Sequence, residues 1–215
     1  MAHIRPRNVD ELTGITPLID GMEAAMGFVP NSLLTMAHLP QLPVAFSMLV
    51  GVVFGADLKQ QVQMLGPLVP PSEETPPLPP SLLNLVAFAV STAAGSRYCQ
   101  AHCSFGAHRA GISEEKLGEI DRFQESESFS AAERAALALA FAAGGMPNES
   151  ETSHFENLRA HFNERQIVQL VSVIALFGFL NRWNDTLATT LELEPGAFAT
   201  EALGSIGWVA GKHQT

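Results

Sequence analysis

Both cysteines of the chain lie in one short stretch, GSRYCQAHCSFGAH, which runs from Gly95 to His108 and holds two of the seven histidines. Thiol chemistry, metal binding and simple packing all need cysteines, so the spacing has to separate them. Gly95 ends one helix pattern and Ser96 reads as the N-cap of the next. Cys99 then occupies the third helical position, near unsatisfied amides and the positive end of the helix dipole. That placement favours thiolate, the nucleophilic form, and Arg97 adds a nearby positive charge. His102 and Cys103 follow three and four residues later and share a helix face with Cys99. His102 is therefore a candidate proton partner and Cys103 a candidate second thiol. Residues four apart on a helix have α-carbons roughly 6 Å apart. A Cys99–Cys103 disulfide needs the turn to loosen, because the β-carbon vectors are poorly placed. A metal reading takes Cys99, His102, Cys103 and His108, but one helix cannot surround an ion tetrahedrally. Such a site requires ligands from another helix or subunit. The third reading is two buried cysteines that only fill space. His3, His38, His154, His161 and His213 are scattered and carry no signal.

The elements that must position this stretch read as helices throughout. β-Branched alternation is scarce, while Ala, Leu, Glu and Gln dominate the periodic segments, so the fold class is all-α. A helix is expected from Pro17 to Met26, a short one after the turn at Pro30, and a longer one from Leu42 to Phe54, with a pattern that can continue to Met64. Gly66 to Pro80 then holds seven of the fourteen prolines and reads as a stiff linker. Ser81 is read as the N-cap of LLNLVAFAVSTAAG, which is apolar on nearly all sides and so a buried helix. Ser130 and Glu133 have the spacing of a capping box before AERAALALAFAAGG. Asn163 reads as the cap of the long helix through QLVSVIALFGFLNRWN. That segment aligns without gaps on NLVAFAVSTAAGSRYC, from Asn84, as though both were buried helices running into aromatic turns. The tail after Pro195 is expected to form a small helix. The whole is read as a single domain, 1–215, with N-terminal helices 1–65, linker 66–80, core 81–195 and tail 196–215.

The 215 residues can bury a sizeable core without disulfide or metal staples. With 12 basic against 22 acidic residues the formal charge is −10, which argues against nucleic acid and anionic membrane as partners. Hydrophobic residues make up 47% and charged ones only 16%, which leans toward a homo-oligomer whose subunits cover apolar surface. The opening MAHIRPRNVDEL has no apolar run after its basic residues, and the apolar stretches look shorter than the roughly 20 residues of a membrane span. A cytoplasmic location with free cysteines is the expectation.

LLNLVAFAVSTAAGSRYCQAHCSFGAHRAGISEEKL resembles the core of the alkyl hydroperoxidase D-like, carboxymuconolactone decarboxylase superfamily. GFVPNSLLTMAHLPQLPVAF resembles the opening of its peroxidase-related members. The closing helices of those members resemble LRAHFNERQIVQLVSVIALFGFLNRWNDTLATTLE, down to the Asn-Arg-Trp-Asn-Asp run. The resemblance implies an alkyl hydroperoxidase D-like helical bundle of packed helix pairs, assembled as a trimer-based or dimeric oligomer. It also implies peroxide-reducing or related redox activity where the full motif is present, a Glu at the start of a buried helix followed by C-x-Y-C-x-x-A-H.

This chain departs from that motif. Aligned on Tyr98-Cys99, the first motif cysteine is Ser96, the glutamate is Asn84, and the histidine position holds Cys103, with His102 one place earlier. Of the thiol, carboxylate and imidazole groups of that motif, only Cys99 is retained in place. Ser96 cannot form a disulfide, so it is read as a hydrogen-bonding stand-in and Cys103 or an external thiol as the resolving group. The expectation is a thiol-dependent, peroxidase-like oxidoreductase that takes a hydroperoxide and an unidentified thiol reductant. Its site residues are Cys99, His102, Cys103 and Ser96, with no cofactor and no metal. The rival readings are a redox-inactive relative that binds or decarboxylates a small molecule, and a structural oligomer.

Overall fold

The computed structural model describes residues 2–71 and 77–214, and these form eleven α-helices with short 3₁₀ turns and no strand. The chain divides into two compact units, residues 1–76 and 77–215. The division falls within the proline-rich stretch. Residues 72–76 of that stretch lie outside the described residues.

The first unit contains α1 (Thr16–Met26), α2 (Asn31–Met36), α3 (Leu42–Val53) and α4 (Leu58–Leu65). Pro sits in the first turn of α1, and Gly27 ends it in the left-handed conformation, φ 78°. Ile15, Leu18, Ile19 and Val44 form the core, with Leu12, Met22, Val29, Met48, Leu65 and Leu68 packed around it. The pattern from Leu42 toward Met64 is two helices rather than one continuous helix. Gly55 turns the chain at φ 89°, and Asp57 caps α4 by accepting from the Gln60 amide at 2.9 Å. A Cβ on Gly51 would collide with the side-chain amide of Gln61, so glycine lets α4 pack closely on α3.

The second unit contains α5 (Pro80–Ala93), α6 (Arg97–Arg109), α7 (Glu114–Gly118), α8 (Ala131–Gly144), α9 (Thr152–Arg159), α10 (Glu164–Leu187) and α11 (Leu193–Leu203). α5 is the hub and packs against α6, α8 and α10. That role explains its apolar circumference: Leu85, Val86, Ala87, Phe88, Ala89 and Val90 are all at most 1% exposed. Its start differs from the sequence reading, because Pro80 is the first helical residue and Ser81 makes no cap. The capping boxes at Ser130/Glu133 and Asn163/Gln166 are both formed. At the other end of α8 a Cβ on Gly144 would lie 3.0 Å from the Val90 carbonyl oxygen, so glycine permits the close approach to α5.

The similarity between residues 84–99 and 169–184 does not extend to the turn. α5 stops and the chain reverses at Gly95, φ 72°, whereas α10 continues through to Leu187. The position matching Gly95 is Leu180, which has no access to positive φ without strain. α10 is also 24 residues long and apolar enough by length and composition to cross a membrane, contrary to the reading that no such stretch exists. In this fold it packs against α5, α6, α8 and α9.

Candidate functional site

Reversal of the chain at Gly95 places the start of α6 against α5 and α10. The Ser96 amide donates to the Ser91 carbonyl at 3.0 Å, and Gln100 Nε2 donates to the same oxygen at 3.2 Å. Arg97 is held by Gln100 Oε1 at 3.2 Å. Ser96 has the extended backbone of an N-cap, yet its side chain makes no capping bond. Its hydroxyl is fully buried and forms no hydrogen bond of ordinary geometry, but it lies close enough to stabilise negative charge on Cys99.

Cys99 and Cys103 are both free and each is 3% exposed. Their polar neighbours come from α5 and α10. Asn184 Nδ2 donates to Cys99 Sγ at 3.5 Å and to the Leu180 carbonyl at 3.0 Å. Ser91 Oγ lies 3.9 Å from Cys103 Sγ and donates to the Ala87 carbonyl and to Asn181 Oδ1, at 2.8 and 3.1 Å. The two thiols therefore sit one helical turn apart with hydroxyl and amide groups beside each. The helix N-terminus does not decide their ionisation. Burial pushes Cys99 above the ordinary thiol range, while Ser96 and Asn184 oppose it and the Asp185 charge adds to it. Burial pushes Cys103 up further, helped by the charge of Cys99 and opposed by Ser91. The expectation of a depressed Cys99 pKa is thus reversed, because desolvation outweighs the donors.

His102 is on the flank of α6, half exposed, and engaged elsewhere. Its Nε2 bonds Glu192 Oε2 at 2.7 Å and its ring lies 4.5 Å from that of Tyr98. Tyr98 donates to the other Glu192 oxygen at 3.0 Å. Burial acts upward on Glu192, but its own amide, His102 and Tyr98 prevail and hold its carboxyl below the usual range. Burial and the Glu192 carboxylate push Tyr98 up to about 12. His108 lies farther along α6, where its Nδ1 meets the Ile112 carbonyl and its ring packs on Phe198. Asn84, at the position of the motif glutamate, donates to the Pro80 carbonyl and abuts Gly106 rather than Cys99. Among the described residues no group of three or more His, Cys, Asp or Glu could hold a metal ion.

The structure thus brings Ser96, Cys99 and Cys103 together and directs His102 toward Glu192. Sequence reasoning missed Ser91, Asn181, Asn184, Asp185, Glu192 and His213. One signal was available: Asn181 and Asn184 are uncharged polar residues three apart, and so on one face, directly after the apolar run of α10. A cleft of about 510 Å³, lined in part by Ala93, Met146, Asn181, Arg182 and Asp185, opens beside this cluster. Its size suits a small organic molecule.

The carboxymuconolactone decarboxylase family model matches residues 72–142. Among solved structures, the debrominase Bmp8 in its apo form shares 31% identity over 93% of this chain and 97% of its own, with a TM-score of 0.56. A cysteine-to-alanine variant of Bmp8 in complex with 2,3,4-tribromopyrrole matches at 32% identity over 94% and 98%, again with a TM-score of 0.56. ATU0492 from Agrobacterium tumefaciens, a protein of unknown function provisionally grouped with the AhpD antioxidant defence proteins, shares the fold at 24% identity over 53% of this chain and 78% of its own, TM-score 0.50. No curated protein matches.

Proposed function

Since this chain belongs to the carboxymuconolactone decarboxylase family, we propose that it is a thiol-dependent oxidoreductase of that family, with Cys99 as the attacking thiol and Cys103 as the resolving one. One observation carries the reading: Asn184 and Ser96 flank the Cys99 sulfur in a buried setting, with a second free thiol one turn along the same helix. Donors aimed at a buried sulfur favour the charge that appears when the thiol loses its proton. Ser96 fits this role because its hydroxyl is spent on no helix cap.

Reductive dehalogenation of a small halogenated aromatic is the first substrate reading, favoured by similarity to a debrominase over nearly the whole of both chains. In that reaction the Cys99 thiolate takes the halogen as a sulfenyl halide, and the carbon it leaves takes a proton. The Cys103 thiol then displaces halide to form a disulfide with loss of a proton, and an external dithiol restores both thiols. Hydroperoxide reduction is the second reading, favoured by the retained Tyr98-Cys99 core of the peroxidase motif. There Cys99 takes one oxygen as sulfenic acid and releases an alcohol. Cys103 condenses with it, releasing water. Burial of both sulfurs is compatible with either reading only if the turn of α6 loosens during resolution.

The test supplies the full-length protein and dithiothreitol with 2,3,4-tribromopyrrole, the molecule bound to the Bmp8 variant, in one arm and cumene hydroperoxide in the other. Bromide release or hydroperoxide loss that disappears in Cys99→Ser supports the thiol role and selects the substrate class. Equal turnover by parent and Cys99→Ser in both arms, or no turnover in either, overturns it.

A further inference from the structure

The C-terminal turn contributes a buried histidine that neither the motif nor the proposed reaction uses. His213 is 1% exposed and is held on both ring nitrogens. Nδ1 lies 2.8 Å from the Thr189 carbonyl oxygen, and Nε2 lies 3.0 Å from Asp185 Oδ1. The His213 backbone carbonyl accepts from the Leu191 amide at 2.9 Å, which fixes the turn in place. A carbonyl oxygen can only accept, so Nδ1 must carry a proton. An ionised carboxylate also only accepts, so Nε2 must carry one as well, or else Asp185 must be protonated. In either arrangement the pair holds one proton more than a neutral ring beside a carboxylate, and its net charge is zero.

This pair is beside the thiol. Asp185 directly follows Asn184, whose amide donates to Cys99 Sγ. The His213 ring is 5.8 Å from the ring of Tyr98, the residue before Cys99. The titratable groups around the pair are Tyr98, Cys99 and His102 from α6, Asp185 from α10, Glu192 before α11, and Lys212 from the terminal turn. Glu192 is occupied by Tyr98 and His102. The Lys212 ammonium is 3.9 Å from Asp185 Oδ1 and about half exposed, so solvent screens it.

We propose that His213 is a positioning residue for Cys99: through its bond to Asp185 it offsets part of the carboxylate charge that bears on the sulfur. It acts on the thiol only through Asp185 and touches no reacting atom. The role rests on the reading of Cys99 as the working thiol. Loss of the ring leaves the Asp185 carboxylate uncompensated, and a like charge nearby disfavours thiolate.

The test follows the rate of Cys99 alkylation by iodoacetamide against pH in the full chain, read by mass spectrometry. In His213→Gln the profile moves up by about one pH unit, seen as about tenfold slower alkylation on the rising limb. Adding Asp185→Asn to that variant returns the rate to within about twofold of the parent, because the charge is removed at its source. A merely structural role predicts the reverse, with the double variant disturbed further. A profile unmoved by His213→Gln, or a double variant as slow as the single one, overturns the proposal. Alkylation needs no substrate, so an unmoved profile rejects the role of His213, whereas absence of Cys99-dependent turnover rejects the proposed function.

Discussion

At Cys99 the sulfur is pulled two ways, and the balance predicts its behaviour. Burial favours thiol, while the Ser96 hydroxyl and the Asn184 amide favour thiolate. Replacing Asn184 with Ala removes one donor, so alkylation of Cys99 at pH 8 is expected to slow about tenfold, on the order of a lost hydrogen bond to a charged group. A rate equal to the parent's would show that Asn184 only packs. Cys103 is held in the neutral form more strongly, so native alkylation is expected to modify Cys99 first and Cys103 only on unfolding, as peptide mass spectrometry can show. The same asymmetry has a stability consequence. A thiol whose pKa is higher in the fold than in the unfolded chain means that the native state binds the extra proton. The stabilisation is complete below the ordinary thiol range, about 8.5, and is lost as pH rises above it. Urea midpoints are therefore expected to hold between pH 6 and 8 and to fall above about pH 9. In Cys103→Ala the midpoint should be lower throughout, from the cavity, and the alkaline fall shallower. An alkaline fall of unchanged depth would assign it to other groups, such as Tyr98.

At the scale of elements, the site depends on a break between two helices and on the absence of a break in a third. Gly95 reverses the chain at φ 72°, and a Cβ there would meet no heavy atom within 4 Å, so only the backbone conformation demands glycine. Gly95→Ala is expected to destabilise by about 1 kcal/mol and to lower Cys99 reactivity, because the strain is relieved by shifting the start of α6. Chemical denaturation with parallel alkylation checks both effects. Ser130→Ala, which removes a capping box far along the chain from the thiols, is expected to cost about 1 kcal/mol with Cys99 reactivity unchanged. That pair of variants separates general loss of stability from displacement of the site. α10 contributes by continuing: Asn181 and Asn184 meet the thiols' surroundings only because the helix runs on past α5 and α6 without a break.

At the scale of the whole molecule, the second compact unit packs an interior of its own, with α5 against α6, α8 and α10. Residues 77–215, produced alone, are therefore expected to keep a helical circular dichroism spectrum and a cooperative thermal transition. A featureless melt of this fragment would show that it has no independent core. The homo-oligomer expected from composition is checked by sedimentation of the full chain, where a species heavier than 23.0 kDa is the expected outcome.

How much of this was legible in the sequence follows from the range of the forces involved. Helix type, the stop at Gly95, and the caps at Ser130 and Asn163 depend on residues within a few positions of each other, and all were readable. So was the pairing of Cys99 with Cys103, since four residues on a helix define one face. The ionisation of those thiols was not, because it depends on desolvation by distant chain, and local helix position pointed the other way. Nor was the orientation of His102, which is set by Glu192, ninety residues on. The approach of Asn184 to Cys99 and the burial of His213 on Asp185 likewise join segments that no short-range pattern connects. Sequence alone determined which residues could do chemistry; tertiary structure decided which charges and donors surround the sulfur, because electrostatics and burial act through space rather than along the chain.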